Sequence, residues 1–411
     1  MVVTKKLNNG IRVSLKQMDG LLSVTAGILV GTGAAFERDD EDGISHFIEH
    51  MQFKGTPTRT AFEISDAFDS LGAQVNAFTG KDMTCYYVKS TSDHAAEAFS
   101  LLADLFLNAE FPEEEMAREK GVVVEEIKMD EDSPEDLCLD LLARATFGSE
   151  NYGRNILGPQ KNVEGFTREQ LFAYKRERYC PENIVVSFAG NLTIDEALAL
   201  VETHFGSLKS TGFSERKKNV RYRAETLFKQ KPIEQAHFAL SFPAVKRDHP
   251  DYAATQVMNV ILGGGMSSRL FKKVREEMGL AYSVYSYLTG YEEAGALTVY
   301  AGVNAQKAEE ALEAVRRVIE EFRKGVTEEE FLRGREQLRS STIFSEENTA
   351  SQMLLYGKNL LYTGEEYDFE EKMREISSLT REDILRVIKD NFDFSRAAVA
   401  SVGNLKKGIS L

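Results

Sequence analysis

The chain has little with which to build a disulfide framework: three cysteines in 411 residues, Cys85, Cys138 and Cys180, and no C-x-x-C pair. This excludes a cysteine-stapled fold and a thiolate zinc knuckle, and it predicts a reducing compartment. Long apolar runs are missing as well. The longest uncharged stretch, residues 20–36, is rich in Gly, Ser and Thr and falls short of the roughly 18 to 20 apolar residues needed to span a bilayer. No membrane segment is expected. Lys5 and Lys6 are followed by Asn8-Asn9-Gly10, where a secretory signal would place its apolar core, so a cytoplasmic location is expected. Positive charge is in deficit, 50 basic against 65 acidic residues for a net −15. That argues against a nucleic-acid phosphate backbone as partner, although acidic surfaces also serve solubility. Low-complexity segments are absent.

What the chain does have is 42% hydrophobic residues over 411 positions, enough for large cores and roughly two to three domains. Val24, Ala26 and Ile28 alternate as in a strand. A repeat organises the rest. Thr167-Arg168-Glu169 opens a helical stretch ending at Tyr179, followed by a strand from Ile184 that closes on Ala189-Gly190-Asn191-Leu192. The same order returns 213 residues later, with Thr380-Arg381-Glu382 and then Val402-Gly403-Asn404-Leu405. Pro112-Glu113-Glu114-Glu115 and Thr327-Glu328-Glu329-Glu330 likewise each open a long helix. The reading is an α+β fold of two homologous α+β domains, each a mixed sheet packed with helices, at 1–212 and 213–411. The seam is expected over residues 209–223, where Ser210-Thr211-Gly212 and a charged run with Arg216, Lys217 and Lys218 break the apolar pattern.

Two of the six histidines stand in Ser45-His46-Phe47-Ile48-Glu49-His50-Met51, the H-x-x-E-H order of an inverted zinc motif. On a helix at about 100° per residue, His46 and His50 lie about 40° apart, so both imidazoles reach one ion. Glu49 sits beside that line, free to handle a proton. Glu37, Asp39, Asp40, Glu41 and Asp42 run into Gly43-Ile44-Ser45 and supply the helix start; Phe47 and Met51 are expected to face inward. Histidines four apart also occur as ordinary residues of half-buried helices, and the duplication weighs against that here. Under the 213-residue offset, His46, Glu49 and His50 fall on Asn259, Leu262 and Gly263, so the second copy lacks every metal-binding group.

Catalytic zinc usually takes three protein ligands. Glu119 and Glu126, seven apart on the helix from Glu113, differ by about 20° and share a face with Val122 and Val123. Burying that pair requires a cation or hydrogen-bond partners. Glu126 is the expected third ligand and Glu119 its support.

His46-Phe47-Ile48-Glu49-His50-Met51-Gln52-Phe53-Lys54-Gly55-Thr56 resembles the active-site helix of the pitrilysin and insulysin family, in particular its mitochondrial processing peptidase and bacterial processing-protease branch. The likeness runs through both halves. It implies one zinc ion per subunit, held by His46, His50 and Glu126, with Glu49 as general base for the attacking water and Glu119 in support. Ser268-Arg269-Leu270-Phe271 and the segment from Val274 to Ser283 resemble the substrate-clamping segment, giving Arg275 to substrate backbone and Tyr282 to the oxyanion. Gly72, Asn76-Ala77-Phe78-Thr79 and Thr84-Cys85-Tyr86 resemble the edge strand to which substrate adds, so Asn76, Ala77 and Phe78 are expected to bind peptide backbone. The family's larger members close two halves as a clamshell; this chain has the length of one half. The resemblance therefore implies a homodimer whose site is completed in trans, enclosing peptides or unfolded presequence-like segments in a chamber. Gln52 departs from the pattern, which usually has an apolar residue there. Gly263-Gly264-Gly265-Met266-Ser267 has no Lys-Ser/Thr at phosphate-loop spacing; it reads as a peptide-contacting loop or a helix-end turn. Two other readings are a noncatalytic scaffold or partner subunit of the same fold, and a purely structural metal site. The intact site positions and the retained Glu49 argue against them.

Overall fold

In the computed structural model, which describes residues 2–214 and 220–411, the apolar alternations form strands and the capped periodic stretches form helices. Arg216, Lys217 and Lys218 of the expected seam lie outside the described residues. The first half runs β1 (Val2–Lys6), β2 (Arg12–Gln17), β3 (Ser23–Val30), α1 (Ile44–Met51), the short pair β4 (Gly55–Thr56) and β5 (Arg59–Thr60), α2 (Ala61–Ser70), β6 (Gln74–Thr79), β7 (Thr84–Thr91), α3 (Ala95–Asn108), α4 (Glu113–Asp132), α5 (Pro134–Phe147), α6 (Gln160–Gly165), α7 (Arg168–Arg178), β8 (Ile184–Gly190) and α8 (Ile194–Phe205). The second runs β9 (Thr226–Gln230), β10 (Gln235–Ala244), α9 (Tyr252–Gly263), β11 (Ala281–Gly290), β12 (Gly295–Asn304), α10 (Ala308–Phe322), α11 (Glu328–Ser345), α12 (Thr349–Thr363), α13 (Phe369–Ser378), α14 (Arg381–Asn391) and β13 (Ala398–Gly403).

The duplication is visible in sheet topology. One sheet has the order β1-β2-β8-β3-β7-β6 and the other β11-β12-β10-β13-β9. Matched by position in the repeat, β2-β8-β3-β7-β6 corresponds strand for strand to β9-β13-β10-β12-β11. In each sheet a single pair, β2 with β8 and β9 with β13, is parallel, and the remaining neighbours are antiparallel. The repeated Thr-Arg-Glu signals are helix starts. Thr167 and Thr380 each accept a bond from the backbone N–H three residues on, and Gln170 or Asp383 returns one to the cap.

The chain packs as two units. Unit 1 comprises Met1–Ile127, Asn155–Arg216 and Phe344–Tyr367, and unit 2 comprises Lys128–Arg154, Lys217–Ile343 and Asp368–Leu411. Each unit therefore holds one helix from the opposite half of the sequence, α12 in unit 1 and α5 in unit 2. These helices cover the second face of each sheet. In unit 1, Val24, Ala26, Ile28 and Val30 of β3 face a core with Phe47, Phe99 and Phe188. From the opposite face, Leu29 joins Cys85, Val185, Met353 and Leu360. In unit 2, Cys138, Leu142 and Ala145 of α5 pack on Ala239, Ala398 and Ala400, while Phe238, Leu240 and Val399 serve the larger core. Covering both faces is why β3 and β8 are buried almost without interruption, as strands buried on both sides are.

Close approach of α12 depends on Gly357, where an added Cβ would come 2.8 Å from Leu29 Cδ1 and 2.9 Å from Ser187 Cβ. Gly357→Ala is expected to lower stability by about 1 to 3 kcal/mol. Thermal unfolding tests this, and an unchanged Tm would contradict the packing described.

Candidate metal centre

Helix α1 begins at Gly43, whose φ of 95° lies in the left-handed region. The acid that caps it is Glu37: its carboxylate accepts from Gly43 N and Ser45 N, both at 2.8 Å. Ser45 Oγ in turn meets Tyr174 OH at 2.8 Å. Phe47 and Met51 are fully buried, as expected. This fixes the inward face and turns the two histidines towards α4. Their ring centroids lie 4.6 Å apart.

His46, His50 and Glu126 converge. Glu126 Oε2 lies 3.8 Å from His46 Nε2 and 3.5 Å from His50 Nε2. One donor atom from each of the three falls within 4.8 Å of the others, a set able to hold a metal ion. Two imidazole nitrogens and one carboxylate oxygen suit zinc and other borderline divalent cations. On α4, Val123 is buried beside Glu119, but Val122 is 45% exposed. The buried face expected to contain both valines is therefore narrower than the spacing indicated.

Glu119 is buried and committed on both oxygens: His50 Nδ1 at 3.0 Å and Lys54 Nζ at 2.7 Å. Burial alone would raise its pKa, but the bonds to His50 and Lys54 outweigh it and hold the carboxyl below its ordinary value. Burial would likewise lower His50, and Glu119 together with Glu126 and Glu49 reverses this and raises it. His46 has no such support. Burial, and then the charge of His50, push it down to about 3, so its imidazole is neutral and its lone pair available. Its Nδ1 is buried without a hydrogen-bond partner among the described residues. Glu49 accepts from the Thr79 hydroxyl. Burial raises Glu49, aided by repulsion from Glu126, while Thr79 and His50 oppose that rise.

The other predicted residues are placed as follows. Asn76, Ala77 and Phe78 lie on β6, the outermost strand of its sheet; Lys358 Nζ sits 5.8 Å over the Phe78 ring. In unit 2, Arg275 lies on a π-helical turn, Phe271–Glu277, and Tyr282 on β11. The Arg275 guanidinium stands 4.7 Å over Phe271 and 5.6 Å over Tyr282, whose side chain is exposed. Gly263 ends α9 and Gly264 caps it, so this segment is a helix-end turn. Of the positions matching the metal cluster, Leu262 is buried, Asn259 Oδ1 accepts from Ser286 Oγ at 2.7 Å, and Gly263 approaches Ser286 closely. Gln52 is fully buried, donating to Phe106 O at 3.3 Å and accepting from Lys175 Nζ at 3.2 Å. Thr79, Lys54 and Glu37 received no individual role from the sequence. The first two stand inside the quoted motifs, but only the fold brings Thr79 to Glu49 and Lys54 to Glu119.

Residues 12–160 match the model of the insulinase family, peptidase family M16, and residues 165–338 match that of the peptidase M16 inactive domain. A Bacillus subtilis protein named uncharacterized zinc protease YmxG is 39% identical over 98% of this chain and 100% of its own length. An uncharacterized zinc protease of Rickettsia felis is 35% identical over 94% of each chain. Among solved structures, a Pseudomonas fluorescens protein described as a peptidase M16 inactive domain superposes with a TM-score of 0.91 at 24% identity, covering 100% of both chains. A Helicobacter pylori protease gives 0.91 at 21% identity over 98% of this chain and 99% of its own.

Burial pushes Glu37 up to about 7 although Gly43 and Ser45 donate to it. A carboxyl raised on folding contributes stability that is present in full below its unfolded pKa, roughly 4.3, and lost as pH rises through the folded value. The stability difference between wild type and Glu37→Gln should therefore move against wild type between pH 5 and pH 8. Denaturant titrations at the two pH values measure it; a constant difference would show that Glu37 does not titrate in this range.

Proposed function

The chain belongs to the insulinase family, peptidase family M16, and on that premise we propose that it is a zinc-dependent endopeptidase of peptides and unfolded, presequence-like segments. The observation that carries this reading is the convergence of His46, His50 and Glu126 beside the half-buried carboxylate of Glu49. In the proposal His46, His50 and Glu126 hold one zinc ion, which when bound polarises a peptide carbonyl and lowers the pKa of water. Glu49, steadied by Thr79, takes the proton from the attacking water and returns it to the leaving amine. Its raised pKa suits both directions of that transfer. Glu119 accepts from His50 Nδ1, which would leave the Nε2 lone pair free for a metal, and Lys54 offsets the buried charge of Glu119.

Substrate enters along β6, where Asn76, Ala77 and Phe78 offer backbone groups on the free edge of the sheet. Residues 1–212 serve as the metal-bearing half and 213–411 as the clamping half. Arg275 holds substrate backbone and Tyr282 donates to the oxyanion. The working form is a homodimer with a closed chamber, in which Arg275 and Tyr282 of one subunit serve the zinc of the other. Among the described residues no helix is long and apolar enough to cross a membrane; the setting proposed here is a reducing, cytoplasmic one, which three free and buried cysteines suit.

Glu49→Gln should keep bound zinc and the oligomeric state while kcat falls about 10²- to 10⁴-fold, and a chelator should abolish wild-type cleavage reversibly. A peptide library read by mass spectrometry supplies the assay; undiminished turnover in the variant would sink the mechanism. Mixing Glu49→Gln with Tyr282→Phe subunits should restore up to about a quarter of wild-type activity, since half the dimers are hybrids with one intact site. No restoration after subunit exchange would assign each site to one chain.

A further inference from the structure

Unit 1 carries a second concavity, unrelated to the peptidase reading. A cleft of about 590 Å³ opens between the C-terminal end of α3, one face of α7 and the stretch around Lys209. Small-molecule sites span roughly 300 to 1,000 Å³, so the volume suits a single compact ligand. Positions 168, 172, 175, 176 and 179 recur at helical spacing and give this face of α7 alternating cationic and aromatic side chains. Phe106 and Leu208 extend the apolar wall from neighbouring segments.

The charges make the cleft unusual for this chain. Four cations and one acid, Glu169, line it, whereas the chain as a whole carries −15. Lys175 is the innermost cation. Its Nζ reaches two neutral oxygens, Gln52 Oε1 at 3.2 Å and Leu107 O at 3.4 Å. The aromatic rings of Phe111 and Phe106 lie 5.5 and 6.0 Å from it. Among the described residues no carboxylate pairs with Lys175, and burial lowers it to about 7. Arg168 is held by the carbonyls of Glu110 and Phe111 at 2.9 and 3.1 Å and stacks 4.9 Å over Phe172. Arg176 and Lys209 are exposed at the rim and enter no ion pair among the described residues. A half-buried ammonium without a counter-charge, set between aromatic rings, is satisfied best by an anion brought in with its own apolar body.

We propose that this cleft binds a small amphiphilic carboxylate of the medium-chain fatty acid kind, its tail against Phe106, Phe172 and Leu208 and its head on Lys175 and Arg176. Charge complementarity selects the head, and the apolar wall selects the tail over a bare inorganic anion. Neither group belongs to the metal cluster, so binding is read without turnover.

Calorimetric titration of the full-length chain with decanoate, below its micelle-forming concentration, is expected to show one site. Decanol, equal in chain length but uncharged, should bind at least about tenfold more weakly. Arg176→Glu alters an exposed side chain, so it should leave Tm unchanged and weaken decanoate about tenfold; Lys175→Met should weaken it further. Equal affinity for decanoate and decanol, unchanged affinity in both variants, several ligands per chain, or no binding would each overturn the proposal. So would displacement of decanoate by a glutamate-rich peptide of equal affinity, which would give the cleft to acidic polypeptide.

Discussion

The structure around the metal cluster depends on one constraint: three carboxylates and two imidazoles share a half-buried corner where α1 meets α4. Glu49, Glu119 and Glu126 cannot all be charged there at low cost without partners. Glu119 is settled by His50 and Lys54. Among the described residues Glu49 has one hydroxyl donor, and burial, aided by repulsion from Glu126, raises its pKa. What remains unbalanced is the pairing of Glu126 with two imidazoles, one of which burial keeps neutral. A divalent cation would complete that balance, so the proposed affinity for a metal rests on the same desolvation that makes the corner expensive without one.

That corner is held from behind by ordinary packing. Glu37 satisfies the first turn of α1, Tyr174 reaches Ser45, and Phe47 and Met51 fill the core beneath. The second copy keeps the sheet order and the helix caps but fills the equivalent positions with Leu262, a close glycine and an asparagine bonded to Ser286. The two copies share what the fold needs and differ at the positions of the proposed metal site. The reciprocal placement of α5 and α12 gives each sheet its second cover, so neither half of the sequence completes its own core.

Charge is distributed with the same economy. The chain as a whole carries −15, whereas the cleft along α7 gathers four cations among aromatic rings. Lys175 links that cleft to Gln52, the residue immediately past α1 that departs from the family pattern. Its amide is buried between a lysine and a backbone carbonyl, a place where an apolar side chain would take one of two oxygens from Lys175 and the amide donor from Phe106 O.

Much of this was legible in the sequence because it depends on local rules. Helical spacing put His46 and His50 on one face, seven-residue spacing aligned Glu119 with Glu126, and the Thr-Arg-Glu signals at 167 and 380 marked both helix starts and the repeat. The strand alternation of Val24, Ala26 and Ile28 described one face correctly, but it carried no information about Leu29, whose partners include Met353 and Leu360, more than three hundred residues away on α12. Sequence distance also hid Thr79 from Glu49, and the acidic run before α1 did not single out Glu37 as the residue that caps it. By itself, then, the sequence determined which residue types stand at which angle on each helix, since that follows from backbone geometry. The tertiary structure decided which of those faces meet, which valine of α4 is covered, and which lysine meets no counter-charge among the described residues, because burial and pairing arise only when distant segments exclude water together.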